Sequence, residues 1–156
     1  MKEKRAVESE SERELVTSRL VKAPRRLVWQ AFQSAEHLGQ WWGPDGFRCT
    51  TSQFEFRIGG PWIFVMHGPD GTDYPNHITW REIAPPERIV YLHHGPDFES
   101  TVTLEEKGEA TLVTMRALFP SKAQRDAVVE RFHADEGARQ TLGRLAALCE
   151  AQVGEQ

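Results

Sequence analysis

Cysteine is scarce in this chain. Cys49 and Cys149 are the only two among 156 residues, and neither stands in a C-x-x-C spacing. That argues against a zinc ribbon or a disulfide framework and leaves two free thiols as the expectation. Long apolar runs are missing as well: the longest is a few residues, against the roughly 20 a membrane-crossing helix needs. The opening stretch MKEKRAVESESERE holds no apolar segment, so no secretory leader is read, and a cytoplasmic location is expected. Nor is there a basic excess. Nineteen Lys and Arg stand against 23 Asp and Glu, a net charge of −4, which counts against a general nucleic-acid binder or a partner on anionic membranes. A G-x-S-x-G elbow is absent, and Gly59-Gly60 opens no helix, so neither a hydrolase nucleophile nor a phosphate loop is read.

What the chain does hold is aromatic surface: eight Phe, five Trp and two Tyr. This much ring surface suits a large core or an apolar cavity. Residues 1–11 carry no apolar periodicity and read as a disordered tail. Leu15, Val16, Leu20 and Val21 then mark an edge or half-buried strand, ended by Ala23-Pro24. Leu27, Val28, Ala31 and Phe32 form the stripe of a short helix, and Ser34 caps a second one that Gly39 stops.

Turn signals divide the next stretch at short intervals: Gly59-Gly60-Pro61, Gly68-Pro69-Asp70-Gly71, Pro85-Pro86, Gly95-Pro96-Asp97 and Glu106-Lys107-Gly108. The six runs between them have strand length, and such short connections require antiparallel pairing. Ser121 caps a final helical pattern from Lys122 to about Gln152, with a bend near Asp135. Its expected buried stripe is Ala127, Val128, Phe132, Leu142, Leu145, Ala146 and Cys149. The fold class is therefore α+β, a curved antiparallel sheet of six or seven strands around a long C-terminal helix.

Several of these motifs also fall in a familiar order. Ala23-Pro24, Val28-Trp29, Trp41-Trp42-Gly43-Pro44, Gly46-Phe47 and Gly59-Gly60-Pro61-Trp62 are followed by Gly68-Pro69-Asp70-Gly71, Glu82-Ile83 and Pro85-Pro86-Glu87-Arg88, then by Gly137 to Leu145. Together they resemble the activator-of-heat-shock-protein-ATPase branch of the START/SRPBCC superfamily, also described as polyketide-cyclase-like. The resemblance covers residues 12–152 as one domain and implies a helix-grip fold with an internal pocket. It carries no reaction, because the family shares no universal catalytic residues. The eukaryotic chaperone activators have an additional N-terminal domain that does most of the binding; this chain has no room for one, so a chaperone partner is not expected.

The six histidines offer no ligand spacing. His93 and His94 are adjacent on an expected strand and so face opposite sides. His67, His77 and Asp73 flank a hairpin and read as rim residues, and no metal or cofactor is expected. Asp70, Asp73 and Asp97 read as turn acceptors. Glu82 shares the inward face of Ile78 and Trp80 by alternation. There it either closes the sheet edge as an ion pair with Arg88 or Arg116, or touches a ligand. Adjacent Trp41 and Trp42 cannot both enter one core, so one belongs to a pocket or to the surface. A surface tryptophan near Trp41 would suit a homodimer interface.

The leading expectation is a binder of a small hydrophobic molecule, with no catalytic residues. Trp62, Phe64 and Met66 form one wall, with Ile78, Trp80 and Met115 beside them. Trp42 and Phe47 sit at the opening, and Glu82, Tyr91 and His93 orient the ligand. The alternatives are a cyclase- or dehydratase-like enzyme using Glu82, Tyr91 and His93 in the same cavity, or a co-chaperone-type interaction module.

Overall fold

Pro24 ends β1 (Glu14–Val21) and opens α1 (Arg25–Gln30), and the Ser34 hydroxyl accepts the His37 N–H at 3.1 Å to start α2 (Ala35–Leu38). In the computed structural model, which describes residues 8–154, six strands follow: β2 (Arg48–Phe54), β3 (Pro61–His67), β4 (Asp73–Ala84), β5 (Arg88–His94), β6 (Phe98–Lys107) and β7 (Ala110–Leu118). Every pairing is antiparallel, in the order β1-β7-β6-β5-β4-β3-β2, with β1 and β2 at the edges. This is the helix-grip arrangement, with seven strands among the described residues.

The C-terminal helix is two helices. Ser121 accepts the Gln124 N–H at 3.1 Å and starts α3 (Lys122–Phe132), while α4 spans Ala134–Val153. His133 between them is left-handed, with φ 51° and ψ 45°, a region that histidine enters more readily than most side chains. The break thus falls two residues before the bend expected at Asp135. Its consequence is large. On α4, Leu142, Leu145, Ala146 and Cys149 are buried, as the stripe predicts, but α3 buries none of its residues and Phe132 is 47% exposed. Ahead of the break, α3 touches the edge strand β1 and stands over a void.

The expected tail is shorter than read. Ser9 and Glu12 form a reciprocal cap on a 3-10 turn, and Glu8 Oε1 accepts the Lys122 N–H at 3.1 Å. Residues 8–11 therefore belong to the folded part; the rest of the expected tail lies outside the described residues.

Most of the inner face of the sheet is filled by rings. Trp62 stacks on Phe64 with centroids 3.8 Å apart, and Trp62 and Trp80 lie parallel at 6.1 Å. Trp41 meets Phe32 edge-on at 4.9 Å, and its indole N–H donates to the Ala31 carbonyl at 3.0 Å. Trp41 is fully buried, so it is not the surface tryptophan expected to suit a dimer interface.

Candidate ligand cavity

Along each inward-facing strand the same alternation passes from solid core into open space. On β3, Trp62 and Phe64 are buried in the ring cluster, and Met66 two residues on lines a cavity of about 560 Å³. β4 runs from Trp80 and Ile78 in the core to Asn76 and Tyr74 on the cavity wall. The other strands repeat the pattern: Ile89 gives way to Tyr91 and His93, Val102 to Ser100 and Phe98, and Val113 to Met115 and Ala117. Leu15 and Thr17 of β1 complete the sheet side. Opposite stand Val128 on α3 and Ala134, Gly137 and Thr141 on α4, so the helix break creates the roof.

Of the residues read from the sequence as ligand contacts, Trp42, Phe47, Met66, Tyr91, His93 and Met115 line this cavity. Trp62, Phe64, Ile78 and Trp80 do not. Each is at most 1% exposed and belongs to the packed core, because the two short helices and the 39–42 turn cover that end of the sheet with Trp29, Phe32, Trp41 and Trp42. Glu82 is also a correction. The β4–β5 register shifts between Trp80 and Glu82, so that Trp80 opposes Tyr91 while Glu82 opposes Val90. The bulge turns Ile83 inward and Glu82 out, where Arg88 Nε meets its carboxylate at 2.7 Å with both side chains nearly half exposed. The ion pair is with Arg88; Arg116 pairs instead with Glu14 and Glu10.

The opening also differs from expectation. Trp42 is only 9% exposed and forms part of the inner wall, with its ring centroid 5.9 Å from that of Tyr91. The exposed lining residues are Pro75, Gly95 and Pro96 on the sheet side and Arg131, Phe132 and His133 on the helical side. The mouth therefore lies between the β5–β6 hairpin and the end of α3, with half-buried Phe47 against Tyr74 at 5.9 Å nearby.

Arg144 of α4 fixes the wall that carries Trp42. Its Nη1 donates to the carbonyls of Gly43 at 2.9 Å, Pro44 at 3.0 Å and Trp42 at 3.3 Å. Gly43 sits at φ 99°, and a Cβ there would stand 2.7 Å from Met66 Cε. Pro44 packs close to Gly137, where a Cβ would lie 3.2 Å from its Cγ. One arginine and two glycines thus bring loop, strand and helix together at the cavity.

Its polar groups are largely paired with one another. His93 places Nε2 2.7 Å from Asn76 Oδ1 and Nδ1 2.8 Å from the Pro96 carbonyl. Burial holds the His93 pKa below its ordinary value, against an upward pull from the Pro96 carbonyl. Burial pushes the Tyr91 hydroxyl up to about 12, while its hydrogen bond with Ser100 works the other way. Thr141 donates back to the Gly137 carbonyl at 2.8 Å. Among the described residues no Asp or Glu lines the cavity. Among the described residues no three His, Cys, Asp or Glu side chains gather where a metal ion could be held, and no helix is long and apolar enough to cross a membrane.

An open antiparallel sheet gripping a C-terminal helix over an apolar void defines the helix-grip class. Within that class, residues 22–150 match the family model of the Activator of Hsp90 ATPase homolog 1-like proteins, and the chain belongs to that family. Solved structures share the fold. A protein from Arthrobacter aurescens is 24% identical, covering 93% of this chain and 90% of its own, with a TM-score of 0.84. One from Nitrosomonas europaea is 22% identical over 94% and 99%, at 0.82. The AHSA1 protein of Silicibacter pomeroyi is 21% identical over 89% and 99%, at 0.71. No functionally curated protein matches the chain.

Proposed function

We propose that this chain binds one small hydrophobic molecule in the cavity, with Trp42, Phe47, Met66 and Met115 as apolar contacts and Tyr91 and His93 as the polar ones. The observation that carries the reading is the void itself. About 560 Å³ falls within the roughly 300–1,000 Å³ that small-molecule sites occupy, and the lining is rings and thioethers with a few inward polar atoms. The proposal places the chain in the cytoplasm, where its two thiols stay reduced.

An enzymatic reading draws on Tyr91 and His93 but lacks the third group it counted on, since Glu82 faces out. The Tyr91 hydroxyl, held near 12, is also a poor proton donor or base at neutral pH. A partner-protein reading would gain from an exposed aromatic patch, yet among the described residues the exposed large apolar side chains (Val16, Leu20, Ile58, Phe132 and Val153) include one ring, and it belongs to the cavity mouth.

The test is native mass spectrometry of the purified protein, then denaturation to release any carried molecule, with a thermal-shift screen of sterols, fatty acids, flavonoids and aromatic polyketides. A ligand at a hundred times its Kd stabilises the fold by about 2.7 kcal/mol. At least one class is expected to raise the transition; no carried molecule and no shift from any class would refute the reading.

A further inference from the structure

The chain as a whole is acidic, yet the cavity is not. The net charge is −4, yet among the described residues no carboxylate lines the void, and Arg131 is the one permanently charged residue on its wall. Arg131 lies at the mouth, on the last turn of α3, with its guanidinium 5.2 Å from the centre of the Phe132 ring. Three carboxylates on the same two helices are engaged elsewhere. Asp126 is held by Lys122 and Arg125, at 2.9 and 2.8 Å, and Glu136 by Arg139 at 2.7 Å, with Asp135 also facing Arg139. Arg131 makes no ion pair among the described residues.

Deeper in, the polar atoms are largely spent on each other: His93 Nε2 on Asn76, Tyr91 on Ser100, Thr141 on Gly137. A buried charge on a ligand would find no counter-charge there and would meet a large desolvation cost. At the mouth the situation is reversed. A planar guanidinium with open donors, backed by an aromatic face, matches a carboxylate in both geometry and sign.

We propose that the molecule bound here is an amphiphile, an apolar body of chain or ring carbon ending in one carboxylate, with the body among Met66, Met115, Phe98 and Trp42 and the acid on Arg131. This rests on the binding reading above and names the chemical class it takes. Phe132, 47% exposed at the mouth, would be covered by the seated ligand, so α3 gains from occupancy the burial it otherwise lacks.

The test is isothermal calorimetry with decanoate and decanol, and with naphthylacetate and naphthaleneethanol, on the wild-type chain, Arg131→Gln and the control Arg139→Gln. The acid of a pair is expected to bind wild type about tenfold tighter than it binds Arg131→Gln, while its alcohol binds both alike. Added salt should weaken the acid and leave the alcohol unchanged. Acid and alcohol binding with equal affinity, or an acid indifferent to Arg131→Gln or weakened equally by Arg139→Gln, would overturn the inference and leave the binding reading standing. So would a neutral compound from the wider screen that binds when neither acid does. If no compound of any class binds, both readings fall.

Discussion

His93 and Asn76 face each other across the cavity wall with Nε2 and Oδ1 2.7 Å apart, and the Asn76 amide is turned so that its Nδ2 donates to the Tyr74 carbonyl at 2.8 Å. The Asn76 oxygen therefore receives the Nε2–H. That leaves Nδ1 bare against the Pro96 carbonyl, 2.8 Å away, whenever the ring is neutral. Protonation would satisfy both contacts, but burial, the largest influence, opposes the charge. His94 and His77 oppose it too, while Pro96 and Asp97 favour it, and the net direction is downward.

The sign of the resulting pH dependence follows from that direction. Above the unfolded histidine value of about 6.5, His93 is neutral in both states and contributes nothing. As pH falls below it, the unfolded chain takes up the proton first and stability declines, levelling off once pH passes the lower native pKa. Urea unfolding at pH of about 7.5 and about 5.5 should show a loss at the lower pH that is smaller in His93→Gln. Identical losses in both proteins would contradict it.

Phe64 and Ala138 separate core from cavity. Phe64 is 1% exposed and stacked on Trp62, so Phe64→Ala should cost about 3–5 kcal/mol in urea unfolding. Any stabilising compound should nevertheless still raise the melting temperature. Ala138→Phe, which projects a ring from α4 into the void, should abolish that rise at a far smaller cost in stability.

Arg144 should matter beyond its own burial. Its donors on three consecutive carbonyls are charge-assisted, and their loss in Arg144→Ala is expected to cost about 1.5–3 kcal/mol. Hydrogen exchange should quicken across residues 42–47 while β6 and β7 keep their protection. Uniform loosening of the whole sheet would contradict a local clamp.

Both thiols are free, Cys49 half-buried and Cys149 buried, and burial raises their pKa values to about 11 and about 12. At neutral pH neither should react quickly with a disulfide reagent in the folded protein. Two groups per chain should titrate after unfolding without reductant; none would indicate a disulfide.

How far the sequence could be read depends on which signal carried each feature. Turn residues set the strand boundaries closely: β5 (Arg88–His94) lies between Pro85-Pro86 and Gly95-Pro96-Asp97, and the Ser34 and Ser121 caps are in place. Alternation also named the inward face correctly on β3 and β5. What alternation lacks is depth. It does not tell Phe64 from Met66, though only the second meets the void, because the difference lies in which helix lies above. Carrying the same period two residues further would have reached Asn76, Ser100 and Ala117. Glu82 failed for another reason: a bulge at a single position inverts the pattern after it, and nothing in Trp80-Arg81-Glu82 announces one. The helix break was legible as the bend expected near Asp135, but its effect, a roof in place of a continuous packing stripe, belongs to tertiary structure.

Methionine supplies the most direct test of the cavity as a binding site. The chain has three, Met1, Met66 and Met115, and the last two stand on the cavity wall from different strands. Methyl-labelled methionine gives a separate NMR signal for each of these two. Titration with the best stabiliser from the thermal screen should move the Met66 and Met115 methyl signals together, saturating at one equivalent. Saturable binding by calorimetry with both cavity signals unmoved would place the ligand elsewhere and contradict the account.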